Sequence, residues 1–365
     1  MLRGSDALLD WGVRPHNQLE RSLKRIEPDT SQVDRPAQTA RRWRPSLQSL
    51  GRWAGTLLLG GYIVARADLS AVLELLGRVR LEWLGLALVL YALFRVLAAL
   101  RWQLLLSAGG VKLPFPAVLS ALLKGTFLGC ALPATVGVDL IRAKLVTRRG
   151  GEYSRSLSSV IVERILGVVS LILAVALGVI LLAPERAFGR IWPFLALAVV
   201  ALTLIAGLIL GLRSLPRSSV VAAGRLRRWM NAGIGWLEAL RSRLGEYLEQ
   251  KMVLSVVFGA SLGLHYLLSV ISWLLAASLA VGIPLLTILW VWPIVLLAVR
   301  LPISVLGFGV REVLLLELLG MVGLSAESAV SLGLLSGAFD LLVISLGGLL
   351  MLGPAQVSSA KLGSP

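Results

Sequence analysis

The stretch Leu301-Pro302-Ile303-Ser304-Val305-Leu306-Gly307-Phe308-Gly309-Val310-Arg311-Glu312 has an earlier echo in Leu132-Pro133-Ala134-Thr135-Val136-Gly137-Val138-Asp139. Both open on Leu-Pro, continue through an apolar residue, a hydroxyl residue and Val, and reach Gly-Val followed by a charge. The later copy carries three extra residues before its Gly-Val. Proline breaks the helical hydrogen-bond ladder and glycine lets the backbone turn, so Pro133, Gly137, Pro302, Gly307 and Gly309 are read as helix breaks. Each copy follows a short apolar run. Irregular backbone at membrane depth persists only where protein or a water-filled cavity satisfies it. Two interrupted segments in the two halves of one chain point to a transporter-type site. The other reading of the same residues is a pair of ordinary loops at the membrane surface.

Composition places these segments in a membrane. Of 365 residues, 57% are hydrophobic and 15% charged, and the mean hydropathy is +0.83. A soluble domain carries roughly 25% charged residues, and this chain could not cover its surface with polar groups. A spanning helix needs about 20 apolar residues. Candidate runs are 50–66, 82–100, 157–183, 191–212, 252–282, the short 285–300, the half-length 312–323, and 326–352. The expected fold is all-α, a polytopic transmembrane bundle of about seven or eight membrane segments, including interrupted or re-entrant ones. One cysteine, Cys130, excludes a disulfide scaffold. With only two histidines, His16 and His265, no metal centre is expected. No Gly-x4-Gly-Lys-Ser/Thr loop is present, so no nucleotide or other cofactor is expected.

The net charge is +16. Its distribution argues against nucleic acid as the partner. Basic residues gather in three polar segments, with ten Arg/Lys in 1–52, eight in 101–155 and eight in 213–251. Cytoplasmic segments carry such an excess, which places all three inside, the N-terminus among them, and the short segments 66–80 and 184–190 outside. The electrostatic partner is then anionic membrane lipid. Residues 1–46 are read as a disordered basic extension and 353–365 as a mobile tail. Within 213–251, the stretch 222–250 reads either as a basic amphipathic helix on the inner leaflet or as a solvated connector.

Ionisable side chains inside a membrane are costly and mark a function or a pair. The candidates are Asp139 and Arg142, which can pair at i,i+3; Glu163 and Arg164, which point about 100° apart on a helix and so need separate partners; Arg311 and Glu312 after the second break; and Asp340, alone in the last helix. Lys124 joins them, because it sits inside an apolar run. Two explanations remain open. One is a salt-bridge network that holds the bundle together. The other is a polar cavity in which Arg142, Arg164, Arg311 and Lys124 grip a lipid phosphate while Asp139, Glu163, Glu312 and Asp340 pair with them or couple to protons. Arginine's donor fork suits phosphate. Arg95 and Arg101 are read as snorkelling cations, and His265 as a packing residue.

These residues carry a resemblance. Ala99-Leu100-Arg101-Trp102, the stretch Phe127 to Arg142 with its Leu132-Pro133 and Gly137-Val138-Asp139, then Val162-Glu163-Arg164 with Gly167, and finally the Leu301-Pro302 segment occur in an order similar to the lysylphosphatidylglycerol-synthase transmembrane-region family. The resemblance spans roughly 47–352. It implies a flippase-like domain that translocates lipid in the inner membrane, with the matching residues along the lipid path and a lipid-biosynthesis enzyme as partner. The chain has no cytoplasmic aminoacyl-transferase domain, so the synthase activity is not implied. A non-transporting anchor for a lipid-modifying enzyme and a membrane-embedded lipid-carrier transferase remain alternatives.

Overall fold

A computed structural model describes residues 47–130, 135–147, 153–184, 245–301 and 303–352, with isolated positions between 189 and 207. The extension 1–46, most of the expected span 191–212, most of the basic stretch 222–250, Pro133, Pro302 and the tail 353–365 lie outside the described residues. Every long described element is a helix: α1 (Leu47–Arg66), α2 (Leu69–Gly77), α3 (Leu81–Ala108), α4 (Phe115–Cys130), α5 (Thr135–Thr147), α6 (Tyr153–Leu182), α7 (Lys251–Ser278), α8 (Leu285–Val299), α9 (Val310–Gly320) and α10 (Ala326–Leu352). Four of them, α3, α6, α7 and α10, are long and apolar enough to cross a membrane. The pair α1 and α2 forms a further candidate, bent by 88°. The protein is therefore a multi-pass, all-α membrane protein. Leu57, Leu58, Ile180, Leu181 and Met252 lie exposed, as lipid-facing side chains do.

Three boundaries differ from the sequence reading. Segment 66–80, read only as a short segment between spans, carries α2, capped by Asp68, whose carboxylate accepts the Ser70 N–H at 2.8 Å. Helix α3 does not stop near residue 100 but runs to Ala108, about 42 Å in all at 1.5 Å per residue. Gly137 lies inside α5, which begins at Thr135, rather than at the break.

The helices form two copies of one unit, offset by 170 residues at the leading helices and by up to 175 further along. Helices α3 to α6 have 28, 16, 13 and 30 residues, and α7 to α10 have 28, 15, 11 and 27. The turn after each leading helix is the same. Gly110 (φ 81°) and Ala280 (φ 56°) both enter the left-handed region. The next residue then bonds back into its helix, Val111 N–H to Leu106 O at 2.8 Å and Val281 N–H to Ala276 O at 3.0 Å. This is the pattern of a Schellman helix end. Gln103 Nε2 donates to Leu113 O, and its counterpart Trp273 Nε1 donates to Ile283 O. Pro114 and Pro284 then open the two short helices.

The leading helices run antiparallel. Arg80 N–H at the start of α3 donates to Ser278 O at the end of α7, and Gln250 before α7 donates to Ala108 O at the end of α3. The two units are thus inverted relative to each other, an arrangement common in secondary transporters. Each unit's last helix packs on the other's short helix through a glycine. A Cβ on Gly178 would stand 2.9 Å from Trp290 Cα, and one on Gly347 would strike the Leu123 carbonyl oxygen.

The second break shows how interrupted backbone is satisfied. Residues 303–309 turn through positive φ at Leu306 (55°), Gly307 (79°) and Gly309 (89°). Helix α1 supports them: Thr56 Oγ1 accepts the Val305 N–H at 2.9 Å, and Arg52 Nε donates to Ser304 O at 3.3 Å. The Glu312 carboxylate accepts the Gly309 N–H at 2.6 Å and so closes the start of α9. These are the partners that non-helical backbone in a membrane requires.

Candidate functional site

Two cavities with charged side chains in their walls lie along the α3–α7 seam. The first has a volume of about 260 Å³ and is lined by Arg101, Arg142, Glu163, Arg164, His265 and Arg300, among others. Its centre is Glu163, on α6. Arg101 Nη2 donates to Oε1 at 2.6 Å and Arg142 Nη2 to Oε2 at 2.8 Å. Glu163 and Arg142 are both buried. Arg142 also lies over Trp102, its guanidinium carbon 4.1 Å from the ring centroid. Its stem crosses α4 at Gly125, where a Cβ would strike Cγ of the arginine. Trp102, fully buried, donates to Ser159 Oγ at 3.3 Å.

Arg164 turns to Asp139, with Nε to Oδ2 at 2.6 Å and Nη2 to Oδ1 at 3.1 Å. The expected Asp139–Arg142 pair is the longer contact, at 3.8 Å. Glu163 and Arg164 do find separate partners.

Arg300, at the end of α8, brings the second break to the wall of this first cavity. Among the described residues no carboxylate lies within ion-pair distance of it. Four guanidiniums thus meet two carboxylates here, Glu163 and Asp139, a surplus of two positive charges among the described residues. Clustered like charge away from water is costly, and an anion in the cavity would relieve that cost.

The second cavity, about 160 Å³, includes Tyr91, Arg95, Arg311, Ser336 and Asp340 in its wall. Arg311 Nη2 donates to Asp340 Oδ2 at 2.6 Å, and Tyr91 donates to Oδ1 at 2.6 Å. Arg95 donates to the Tyr91 hydroxyl at 2.7 Å and stacks 5.0 Å over its ring. At the offset of 170, Phe94 and Arg95 of the second cavity correspond to Leu264 and His265 of the first, so both cavities use the same positions of the leading helices. Phe94 and Leu268 line both and separate them.

The structure brings Asp139, Arg142, Glu163 and Arg164 together and places Arg311 with Asp340 at the second cavity. Lys124 is half-buried on α4 and lines neither cavity. Glu312, 1% exposed, joins no arginine among the described residues but caps its own helix. Gly307 and Gly309 shape the second break. Arg95 and Arg101 do not snorkel: Arg101 holds Glu163, and Arg95 faces Tyr91 and Asp340. The snorkelling reading failed because α3 is longer than one bilayer crossing, which leaves both arginines inside the helix. His265, read as packing, lines the first cavity. The sequence signal for Arg101 was the adjoining Trp102, whose ring carries Arg142.

Over residues 49–348 the chain matches the family described as Lysylphosphatidylglycerol synthase TM region, and it belongs to that family. No curated protein matches it.

Proposed function

We propose that this protein moves lipids with an anionic, phosphate-bearing head group between the leaflets of the cell inner membrane. The substrate class is an anionic phospholipid, a glycolipid phosphate or a polyprenyl-phosphate-linked head group. The observation that carries the proposal is the gathering of four guanidiniums on the first cavity, with Arg300 on its wall facing no carboxylate among the described residues. Arg142, Arg164 and Arg300 bind phosphate there, and Arg311 does so in the second cavity. Asp139, Glu163 and Asp340 hold the arginine forks in place. The head group passes between cavities at Phe94 and Leu268 while the acyl or prenyl chains stay in the bilayer. Inverted units and broken helices support this reading, because they let two related cavities serve opposite faces. The basic segments 1–52, 101–155 and 213–251 lie on the cytoplasmic side, where a lipid-biosynthesis enzyme supplies substrate.

The test is leaflet exchange in proteoliposomes carrying fluorescent lipids of each head-group class. Exchange of anionic but not zwitterionic lipids, above protein-free vesicles, is the expected result. No exchange for any lipid, with or without a pH gradient, would overturn the proposal in favour of an anchor or a lipid-carrier transferase.

A further inference from the structure

The two cavities place their carboxylates differently. In the first, Glu163 is buried and each of its oxygens accepts from a different guanidinium, while both Asp139 oxygens face Arg164. These carboxylates are fixed parts of the wall. Among the described residues that line the second cavity, Asp340 is the one carboxylate. Its side chain is 45% exposed, against 7% for Arg311, which donates to Oδ2 at 2.6 Å. Arg95 Nη2 lies 3.9 Å from Oδ1. Asp340 thus stands between the two guanidiniums of this cavity and is more exposed than either.

The relation between the two units does not require a charge there. Helix α6 ends at Leu182 and α10 at Leu352. Counted back from these ends, Gly167 matches Gly337, and Asp340 falls at Ser170. Ser170 is fully buried and donates to the Gly167 carbonyl at 3.1 Å. Glu163, in turn, falls at Gly333. The second unit therefore replaces a buried carboxylate with a half-exposed one, about two turns further along the helix. Gly337 serves it: a Cβ there would stand 3.0 Å from Arg311 Nη1, so the guanidinium crosses α10 one turn before Asp340.

A phosphate that enters the second cavity meets arginines already facing a carboxylate. Both anions suit the same donor fork, and side by side they repel. We infer that Asp340 is a tethered competitor of the head group. It occupies Arg311 and Arg95 in the empty cavity, keeps the second cavity's hold on phosphate weaker than the first's, and returns to the arginines as the head group leaves. The head group dwells in the first cavity and leaves quickly through the second. The inference rests on the anionic-lipid reading above and deepens it. Were Asp340 only a brace that orients the arginines for phosphate, removing its charge would weaken binding. A competitor gives the opposite sign.

The test pairs binding of a fluorescent phosphatidylglycerol to the full chain in phosphatidylcholine nanodiscs with leaflet exchange in proteoliposomes, Tm being recorded for each variant. Binding is read in an Arg300→Gln background, which weakens the first cavity so that a change in the second stands out. Asp340→Asn is expected to bind about fivefold more tightly, the upper worth of a partly exposed ion pair. Its exchange, read with Arg300 intact, is expected to fall several-fold, because gains in affinity lie mostly in slower release. Asp340→Ser, which installs the first unit's residue, should do the same, and Asp340→Glu, which keeps the charge, should stay near the parent. Adding Arg311→Gln should abolish the gain. Equal or weaker binding by both folded neutral variants would overturn the competitor role and leave the anionic-lipid reading standing, as would a gain that survives Arg311→Gln. Wild-type protein that binds phosphatidylglycerol no better than phosphatidylcholine would overturn both readings.

Discussion

Arg142 and Glu163, on consecutive helices, meet at 2.8 Å in a pocket from which water is largely excluded, each side chain no more than 9% exposed. Arg101 grips the other carboxylate oxygen. The triad ties α3, α5 and α6 into one wall and fixes the first cavity. Buried ion pairs add little net stability, but removing one partner is expensive because the other charge remains.

Glu163→Gln is therefore expected to destabilise the protein by about 3 kcal/mol. Arg101 and Arg142 would then repel each other with no carboxylate between them. Thermal unfolding in detergent should show a clear fall in Tm. Asp340→Asn should cost less, because the Asp340 side chain is 45% exposed and screening weakens such pairs. Equal losses for the two variants would contradict the difference in burial.

Gly178→Ala is expected to cost about 1–3 kcal/mol, as overpacking does, because the new methyl group would press on the backbone of Trp290. Gly347→Ala, which meets the Leu123 carbonyl, should behave alike. Gly259→Ala and Gly263→Ala on α7 meet nothing within 4 Å and should be neutral or stabilising by up to about 1 kcal/mol. Comparing the four Tm values checks the cross-packing of the two units directly.

Much of this was legible in the sequence, and the exceptions share a cause. The Leu-Pro echo, the span pattern and the charges Asp139, Arg142, Glu163 and Arg164 stand out because each breaks an apolar run. The offset of 170 does not, because backbone geometry carries it more than residue identity. Gly110 is matched by Ala280, Gln103 by Trp273, and Arg95 by His265. The assignment of Lys124 to a phosphate, and of Glu312 to an arginine or a proton, rested chiefly on the cost of burial. Burial says that a charge needs something, and only the fold shows that Glu312 takes its own helix N-terminus.

Phe94→Trp is expected to slow leaflet exchange several-fold at unchanged Tm. Phe94 lies at the boundary shared by the two cavities, so a larger ring narrows the passage without touching an ion pair. Leu268→Phe should do the same from the α7 side. Exchange rates indifferent to both changes would mean that the head group takes another route.

Arg300 separates a transport role from a merely structural one most sharply. Its repulsion toward Arg101 and Arg164 outweighs its attraction to Glu163, so neutralising it should not harm the fold. The decisive measurement compares leaflet exchange of an anionic phospholipid by wild type, Arg300→Lys and Arg300→Gln in proteoliposomes, with Tm recorded for each. The account predicts that Arg300→Gln keeps or raises Tm yet cuts exchange by about tenfold or more, the worth of one charge-assisted phosphate contact, and that Arg300→Lys falls between. Wild-type exchange rates in a well-folded Arg300→Gln protein would contradict the claim that this cavity binds the anionic head group.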